Sequence, residues 1–394
     1  MEKIPVVFSI NNGYVKQLAT VIMSILKNSN AKFEFNVLHR DITCDNIKKL
    51  ESMLKTYSNA EIRFYNISDY LKNQNLENFM SRRKDYNYIS IETYFRFFIP
   101  DIFNQYDKVI YLDSDILVFS DLFDLYNIDL KNNYLGAIQD TFLELAVDNP
   151  KIKTSLHPKF SYSEYFKKYL HKKNNKYFNA GILLFNVKKM REDNITLKLF
   201  EFALKNSPLE FQDQCVLNAV LENSTTYIDY RWNILKDLKS YINLFSKKKK
   251  IIFEEYYKNP YIFHYVWHNK PWLIHDDYNY SFVNEWWKHY KMTPFLDKKD
   301  LETYKTISKR IKPSLLKSIF SVRNCNNHKV ITILGLKIKI KSKIRRLENE
   351  LNYLKSRIDK YEEDRDLFIT LIKNSKLDIE ELENLIEEKE DAES

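Results

Sequence analysis

The stretch Lys108-Val109-Ile110-Tyr111-Leu112-Asp113-Ser114-Asp115 decides the fold class of this chain. An apolar run ends in two carboxylates separated by one residue, which is typical of a buried strand that leads into a polar site. Two carboxylates at this spacing can both bind one hard divalent cation, and such a cation can bridge a diphosphate. The alternative is a solvated turn that caps a helix beginning at Leu122.

Further apolar runs around this stretch predict an α/β fold. The predicted strands are Val6 to Ile10, Phe33 to Leu38, Glu61 to Tyr65 and Lys108 to Leu112. Residues at helical spacing follow the first strand, namely Leu18, Val21, Ile22, Ile25 and Leu26. Ligands gather at the carboxyl ends of strands in such sheets, so Asn11 and Asn12 join the two aspartates as candidate site residues.

Composition favours a globular intracellular protein. Of the 394 residues, 44% are hydrophobic and 15% are aromatic, which suits a packed core and excludes a disordered chain. Cys44, Cys215 and Cys325 lack the spacing of a zinc site or disulfide framework, which favours a reducing cytosol. The apolar run Ile4 to Ile10 is too short for a signal peptide, and no run of about 18 apolar residues predicts a transmembrane helix.

Charge divides the C-terminal part of the chain. Between Lys305 and Arg346 there are thirteen Lys or Arg and no acid, whereas residues 347–394 carry sixteen acids and seven bases. Apolar residues among these lysines predict an amphipathic helix with a basic face: Ile311, Leu315, Leu316, Ile319 and Phe320. Val330 to Ile340 then alternates in polarity and predicts a strand or hairpin.

Heptad spacing from residue 344 onwards predicts a coiled coil. Its apolar positions are Ile344, Leu347, Leu351, Leu354, Ile358, Tyr361, Phe368, Ile372, Ile379, Leu382 and Ile386. The coiled coil either assembles copies of the chain into a homo-oligomer, of a number that the heptads leave open, or folds back as two helices near Asn374. The predicted domains are therefore a catalytic domain at 1–290, a basic amphipathic segment at 291–343 and a coiled-coil helix at 344–394.

Five further motifs follow one another along the chain: Val7-Phe8-Ser9-Ile10-Asn11-Asn12-Gly13-Tyr14, Tyr94-Phe95-Arg96 with the strand ending in Asp113-Ser114-Asp115, Tyr177-Phe178-Asn179-Ala180-Gly181-Ile182-Leu183, Gln212-Asp213-Gln214, and His264-Tyr265 with Lys270-Pro271-Trp272. In this order they resemble the retaining family 8 glycosyltransferases, which include lipooligosaccharide galactosyl- and glucosyltransferases of Gram-negative bacteria. The resemblance covers about residues 4 to 290. It implies a Rossmann-like GT-A fold for nucleotide-diphospho-sugars and transfer of a hexose from a UDP-sugar.

The resemblance also implies a role for each matching residue. Asp113, Asp115 and His264 would hold the metal, normally Mn²⁺ or else Mg²⁺, and Lys270 would pair with the diphosphate. Other donor-binding positions are Ser9, Asn11, Tyr14, Arg96 and Ser114. The residues implied around the donor sugar and the reaction centre are Asp140, Asn179, Asp213 and Gln214. Taken alone, Asn179-Ala180-Gly181 reads as a turn entering a strand, and Gln212-Asp213-Gln214 as a helix N-terminus.

Two features leave the mechanism open. An amide such as Gln214 is a poor nucleophile, which favours front-face attack with Asp213 orienting the sugar, whereas a carboxylate could form a covalent intermediate. The family usually has Gly three residues after the metal histidine, and this chain has Trp267. Either the loop approaches the phosphate differently, or His268 supplements Lys270.

The acid-free basic segment predicts where the chain works. Clustered Lys and Arg beside an apolar face suit the anionic inner leaflet better than nucleic acid, for which the chain has no recognised motif; a solvated basic face is the alternative. We therefore expect a cytoplasmic protein, peripheral at the inner face of the membrane, that meets an oligosaccharide or lipid-linked glycan acceptor there. A glycogenin-like self-glycosylating or protein-glycosylating transferase and a non-catalytic coiled-coil scaffold remain alternatives.

Overall fold

The computed structural model describes residues 3–68, 70, 91–206, 208–275, 278 and 281–311, and the backbone of residues 320–325, 328–333 and 336–341. The strands are β1 Ile4–Ser9, β2 Phe33–His39, β3 Ala60–Asn66, β4 Lys108–Leu112, β5 Ile116–Val118, β6 Leu135–Gln139, β7 Phe178–Asn186, β8 Thr225–Tyr227, β9 Ile234–Leu235, β10 Ile262–His264, β11 Phe320–Cys325, β12 His328–Ile333 and β13 Leu336–Lys341. The α-helices are α1 Val15–Asn28, α2 Cys44–Leu54, α3 Ile99–Ile102, α4 Leu122–Tyr126, α5 Thr141–Val147, α6 Tyr162–Tyr169, α7 Val187–Glu192, α8 Ile195–Asn206, α9 Gln212–Val220, α10 Leu238–Tyr241, α11 Lys247–Lys258, α12 Val283–Tyr290 and α13 Lys298–Ile311. Short 3₁₀ helices cover Asn12–Tyr14, Ile91–Phe98, Tyr230–Asn233 and Ile242–Leu244.

A seven-stranded sheet forms the centre, in the order β3-β2-β1-β4-β7-β6-β8. The first four strands of this order run parallel, β7 runs antiparallel to β4 and β6, and β8 runs parallel to β6. The four predicted strands are confirmed as β1 to β4, and with them the α/β fold class. Because β1 and β4 are parallel neighbours, Asn11 and Asp113 follow them at the same edge of the sheet.

Alternate side chains of the central strands pack into two apolar cores, one on each face of the sheet. Val6 of β1 and Ile110 of β4 belong to one core, while Val7 and Val109 belong to the other. The predicted helix around Leu18 is confirmed as α1 and packs in the first core. Two covered faces explain why these strands appear in the sequence as nearly continuous apolar runs.

A second sheet of three short strands, in the order β5-β10-β9, completes the edge where the site lies. β10 pairs antiparallel with β5 and parallel with β9. The register sets His264 opposite Ile116, and Tyr265 N donates to Asp115 O at 2.9 Å. The last residue of β10 is thereby held beside the two aspartates that follow β4.

The chain divides into two compact units after Ile311. Helix α13 belongs to the first unit, where Ile307 is fully buried and the Tyr304 ring lies 5.0 Å from the Trp287 ring. Lys16 Nζ also pairs with Asp300 Oδ2 at 2.7 Å. The compact unit thus reaches beyond residue 290, and the domain limits given above stay predictions.

The described backbone of the second unit is an antiparallel sheet in the order β11-β12-β13. The hairpin predicted between Val330 and Ile340 is confirmed as β12 and β13. Phe320 was predicted on an amphipathic helix, and this is wrong, because its backbone begins β11 and pairs with Ile333. Residues 312–319 of that helix, and all heptad positions, lie outside the described residues. Among the helices of the described residues, none combines the length and the apolar character needed to cross a bilayer.

We expect Ile307→Ala to lower the free energy of unfolding by about 2–5 kcal/mol, because it leaves a cavity under α13. Urea denaturation followed by circular dichroism measures the change. Leu301→Ala is the matched control, because Leu301 lies on the same helix and is 39% exposed, and it should cost less than about 1 kcal/mol. Equal, small effects of both substitutions would contradict the packing of α13 described here.

Candidate active site

Three side chains suited to binding a metal converge where β4 and β10 end. Asp113, Asp115 and His264 each offer a ligand atom within 4.8 Å of the other two. His264 Nε2 lies 3.2 Å from Asp115 Oδ1 and 3.9 Å from Asp113 Oδ2. Two carboxylates and one imidazole are a donor set that suits manganese. The residues present therefore fit the divalent cation that the sequence predicts.

A buried chain of amide side chains orients His264. Its Nδ1 lies 3.0 Å from Asn233 Oδ1, Asn233 Nδ2 donates to Asn179 Oδ1 at 2.9 Å, and Asn179 Nδ2 donates to Asp140 Oδ2 at 3.1 Å. The Asn233 oxygen can only accept, so Nδ1 carries a proton, and Nε2 is the ring nitrogen that faces the carboxylates and can bind a cation. The chain of contacts links His264 to Asn179 and Asp140, two residues predicted around the donor sugar.

Gly181 on β7 leaves the space that this cluster occupies. A Cβ at this position would lie 2.3 Å from His264 Cε1 and 2.9 Å from Asp113 Oδ2. The backbone also takes part, because Asp113 N donates to Gly181 O at 2.7 Å. Any larger residue at 181 would therefore displace the His264 ring or Asp113.

Arg96 is a buried cation that joins both halves of the site. Its Nη2 donates to Asp113 Oδ1 at 3.1 Å, its Nε lies 3.1 Å from Asp213 Oδ2, and its Nη1 donates to Ala180 O at 2.5 Å. The guanidinium carbon lies 4.3 Å from the centre of the Tyr111 ring. Burial raises the pKa of Asp213 to about 7, although Arg96 acts to lower it. Asp213 therefore takes up a proton far more readily than an exposed aspartate.

The first turn of α9 supplies Asp213 and Gln214. Gln212, where α9 begins, has a φ of 50°, and Tyr94 Oη donates to its Oε1 at 3.0 Å. Gln214 Oε1 accepts from Ala180 N at 2.9 Å. The interpretation of this motif as a helix N-terminus is confirmed, and the same turn lines a cavity of the site.

Lys270 reaches the site through Asp115. Its Nζ donates to Asp115 Oδ2 at 2.5 Å and also to Tyr265 O. Burial opposes the charge of Asp115, but Lys270 and His264 together hold the pKa of this carboxyl well below its usual range. Asp115 is therefore ionised. Lys270 itself lines neither of the two cavities that flank the metal ligands.

The two cavities meet at Asp113 and Asp115. The smaller, of about 200 Å³, is lined by four predicted donor-binding residues: Ser9, Asn11, Tyr14 and Ser114. The larger, of about 600 Å³, is lined by His264 and by the residues predicted around the donor sugar: Asp140, Asn179, Asp213 and Gln214. Arg96 lines both. The structure thus gathers the predicted nucleotide residues on one side of Asp113 and Asp115 and the predicted sugar residues on the other.

Local contacts hold the residues of the smaller cavity in place. Ser9 Oγ donates to Glu92 O at 2.5 Å, and Asn11 Oδ1 accepts from Gly13 N at 3.0 Å. The Tyr14 ring packs edge to face against Trp272 at 6.5 Å. Burial raises the pKa of Tyr14 to about 12, with Asp115 adding to the rise, so its hydroxyl stays neutral.

Two alternatives from the sequence are settled by the structure. The predicted capping of the Leu122 helix by the Asp113-Asp115 turn is wrong, because Asp121 caps α4 by accepting from Phe123 N. Asn179 lies inside β7 rather than in a turn before it. Sequence reasoning missed Asn233, because a lone asparagine in Trp232-Asn233-Ile234 carries no spacing signal.

The family model of glycosyl transferase family 8 matches residues 5–276, which is more than half of the chain. The chain belongs to glycosyl transferase family 8. This confirms the resemblance found in the sequence and the GT-A-like α/β part of the predicted fold. Enzymes of this family use a divalent metal and a nucleotide sugar, and the described residues contain a triad that can hold such a metal.

Individual family relatives agree with this assignment. A Haemophilus influenzae protein provisionally named a glycosyltransferase is 30% identical over 326 residues, which are 78% of this chain and 87% of the relative. The lipopolysaccharide 1,2-glucosyltransferase of Escherichia coli is 24% identical over 75% of this chain and 80% of its own length. The solved apo structure of the bifunctional glycosyltransferase WbbM has a TM-score of 0.66 and 26% identity over 77% of this chain. This chain spans about half, 51%, of the WbbM chain.

We expect Gly181→Ala to abolish tight Mn²⁺ binding, because the added methyl group would overlap the His264 ring. Isothermal titration calorimetry with MnCl₂ measures the affinity. Gly136→Ala is the matched control, because its Cβ would also be crowded, at 2.8 Å from Leu130 Cδ2, but lies in β6 away from the ligands. The control should lose stability and keep its Mn²⁺ affinity. Equal Mn²⁺ affinities of the native chain and of Gly181→Ala would disprove the crowding argument.

Asn233→Leu should weaken Mn²⁺ binding by about 10- to 100-fold, since it removes the acceptor that holds His264 Nδ1–H. Asn233→Asp keeps the acceptor for His264 Nδ1 but loses the donor to Asn179 Oδ1, so it should bind Mn²⁺ more tightly than Asn233→Leu does. Asn243→Leu, at an exposed position, controls for the change of side chain. An Asn233→Leu protein that folds and binds Mn²⁺ normally would show that the amide does not orient the ligand.

Proposed function

We propose that this family member is a retaining hexosyltransferase that moves glucose or galactose from a UDP-sugar to a lipooligosaccharide, lipopolysaccharide or other cell-surface glycan, with the help of Mn²⁺ or Mg²⁺. The observation that carries the proposal is the convergence of Asp113, Asp115 and His264 at the point where two cavities meet. A nucleotide on one side and a sugar on the other would then share one cation through the diphosphate.

The cation would be held by Asp113, Asp115 and His264, with His264 oriented by Asn233. When bound, it acts as a Lewis acid that offsets the charge of the diphosphate. Lys270 is a further cation beside this cluster, since its Nζ contacts Asp115 Oδ2. In our proposal this lysine turns from Asp115 to the departing phosphate, where preorganised positive charge stabilises the transition state.

The reaction breaks the bond between the anomeric carbon and the β-phosphate oxygen, and its electron pair leaves with UDP. A new bond forms between the anomeric carbon and an acceptor hydroxyl oxygen, whose proton passes to the departing phosphate. Retention follows when the acceptor enters on the face from which UDP leaves. Side chains in the larger cavity would hold the donor sugar during this exchange, with Asp140 and Asn179 accepting and donating to its hydroxyls.

Gln214 and Asp213 bear on the mechanism. The Gln214 amide is a weak nucleophile, and its oxygen is occupied by Ala180 N. Asp213 pairs with buried Arg96, and its raised pKa lowers its readiness to attack as a carboxylate at neutral pH. Both observations support front-face transfer, with Asp213 as an orienting residue. A covalent adduct trapped on either side chain would overturn this part of the proposal.

The acceptor class is proposed from the relatives and the sequence. The Escherichia coli relative is a lipopolysaccharide glucosyltransferase by name, and the motifs of this chain resemble lipooligosaccharide transferases. We further propose that the chain works at the cytoplasmic face of the anionic inner membrane, through the basic stretch Lys305 to Arg346, and assembles through its heptads. Nucleic acid is not among the proposed partners.

The test is Mn²⁺-dependent release of UDP from UDP-glucose, UDP-galactose and their N-acetyl counterparts. We expect release from one hexose donor, and Asp115→Ala should reduce it by a factor of about 10² or more, because one carboxylate ligand is lost. Asp45→Ala is the matched control, because Asp45 is an exposed aspartate on α2. A luminescent UDP assay measures the rate.

The outcomes separate the alternatives. Transfer of labelled sugar to the protein itself would favour the glycogenin-like enzyme over glycan transfer. If the chain neither binds nor turns over any UDP-sugar, the result favours the coiled-coil scaffold and discards the site described above.

A further inference from the structure

Trp267 stands in a strained backbone conformation next to the metal ligands. Its φ is 60°, in the left-handed region that costs a residue with a side chain roughly 1–2 kcal/mol. Asn269, two residues on, is also left-handed, with a φ of 56°. Despite this cost, the large indole is 58% exposed. Burial of the indole therefore does not explain why tryptophan stands here.

Hydrogen bonds from Lys236 hold the loop that carries Trp267. Buried Lys236 donates from Nζ to His268 O at 2.7 Å, and its backbone N donates to His264 O at 2.9 Å. Left-handed residues persist where surrounding contacts over-determine them, and such strain is concentrated at functional sites. These contacts hold the backbone from which the indole projects beside the larger cavity.

The indole forms part of an aromatic wall of the larger cavity. Its ring lies edge to face with Phe211 at 6.1 Å. Other residues lining that cavity include the aromatic Phe142 and Tyr241 and the polar Asp237 and Ser240. Carbohydrates need both kinds of surface, because a pyranose ring has an apolar face of C–H groups and a rim of hydroxyls. C–H groups are attracted to the negative face of an aromatic ring.

We infer that Trp267 and Phe211 form a stacking platform for the acceptor sugar, with Asp237 and Ser240 binding its hydroxyls. The ligand class is a glucose- or galactose-configured pyranose at the end of the acceptor glycan. This inference rests on the proposed function and adds the acceptor subsite to it. Trp267 lines only the larger cavity, away from the nucleotide residues Ser9, Asn11 and Tyr14, which is why the platform is assigned to the acceptor rather than to uracil.

The strain makes the test unusually selective. Trp267→Gly removes the ring and also relieves the left-handed backbone, so the variant should melt no lower than the native chain. Trp267→Asn is a second variant, because asparagine tolerates this conformation better than other residues that carry a side chain. Trp267→Phe keeps an aromatic face at the same position. Leu244→Gly is the matched control, because Leu244 is also an exposed residue, at 69%, and lines neither cavity.

The probes are methyl β-galactoside, methyl β-glucoside and methyl β-lactoside, bound to the full chain with UDP and MgCl₂ and followed by saturation-transfer NMR. We expect the native chain to bind at least one of them, the Gly and Asn variants to bind it about 5- to 10-fold more weakly, and the Phe variant to approach native affinity. UDP affinity, measured by calorimetry, should be unchanged in all of them.

Three results would overturn the inference. They are equal glycoside binding by Trp267→Gly and native chain, loss of UDP affinity in Trp267→Gly, and failure of the native chain to bind any of the three glycosides. In each case the UDP-release assay of the native chain shows separately whether the proposed function stands.

Discussion

The site depends on one short strand pairing. β5 follows Asp115 directly, and its antiparallel pairing with β10 sets His264 opposite Ile116. The contact between His264 and Asp115 joins residues 149 positions apart. Without it the two aspartates would be a polar turn at the end of β4. The pairing of β9 with β10 adds Asn233, because Ile234, the next residue, lies opposite Phe263.

Buried charge is balanced around this pairing by a small number of cations. Arg96 lies between Asp113 and Asp213, and Lys270 lies against Asp115. A buried charge is costly unless it is paired, so these contacts allow three acidic side chains to lie together in a confined space before any substrate arrives. In the proposed reaction the same cations would receive the negative charge of the diphosphate.

How far the sequence predicts this site depends on the range of the interactions. The ends of β1 and β4 can be predicted because an apolar run followed by polar residues is a local signal. Asn11 and Asp113 lie where that signal predicts them. His264 could be assigned only by resemblance, since its partner is distant in the chain. Asn233 was missed because its role exists only after β9, β10 and β7 have come together. Trp267 departs from the family pattern in the sequence, but its left-handed backbone and the Lys236–His268 contact beside it are encoded by no local pattern.

The long span between His264 and Asp115 also couples ligand binding to folding. Asp113, Asp115 and His264, the proposed metal ligands, come from both ends of a large segment, so the unfolded chain has no counterpart of this cluster. A cation that binds only the assembled cluster stabilises the native state by linkage, by about 1.4 kcal/mol for every tenfold excess over its dissociation constant. The β5–β10 pairing, and with it the domain, would then be more stable whenever the cell supplies the ion. In this sense metal supply would govern how long the enzyme survives as well as how fast it works.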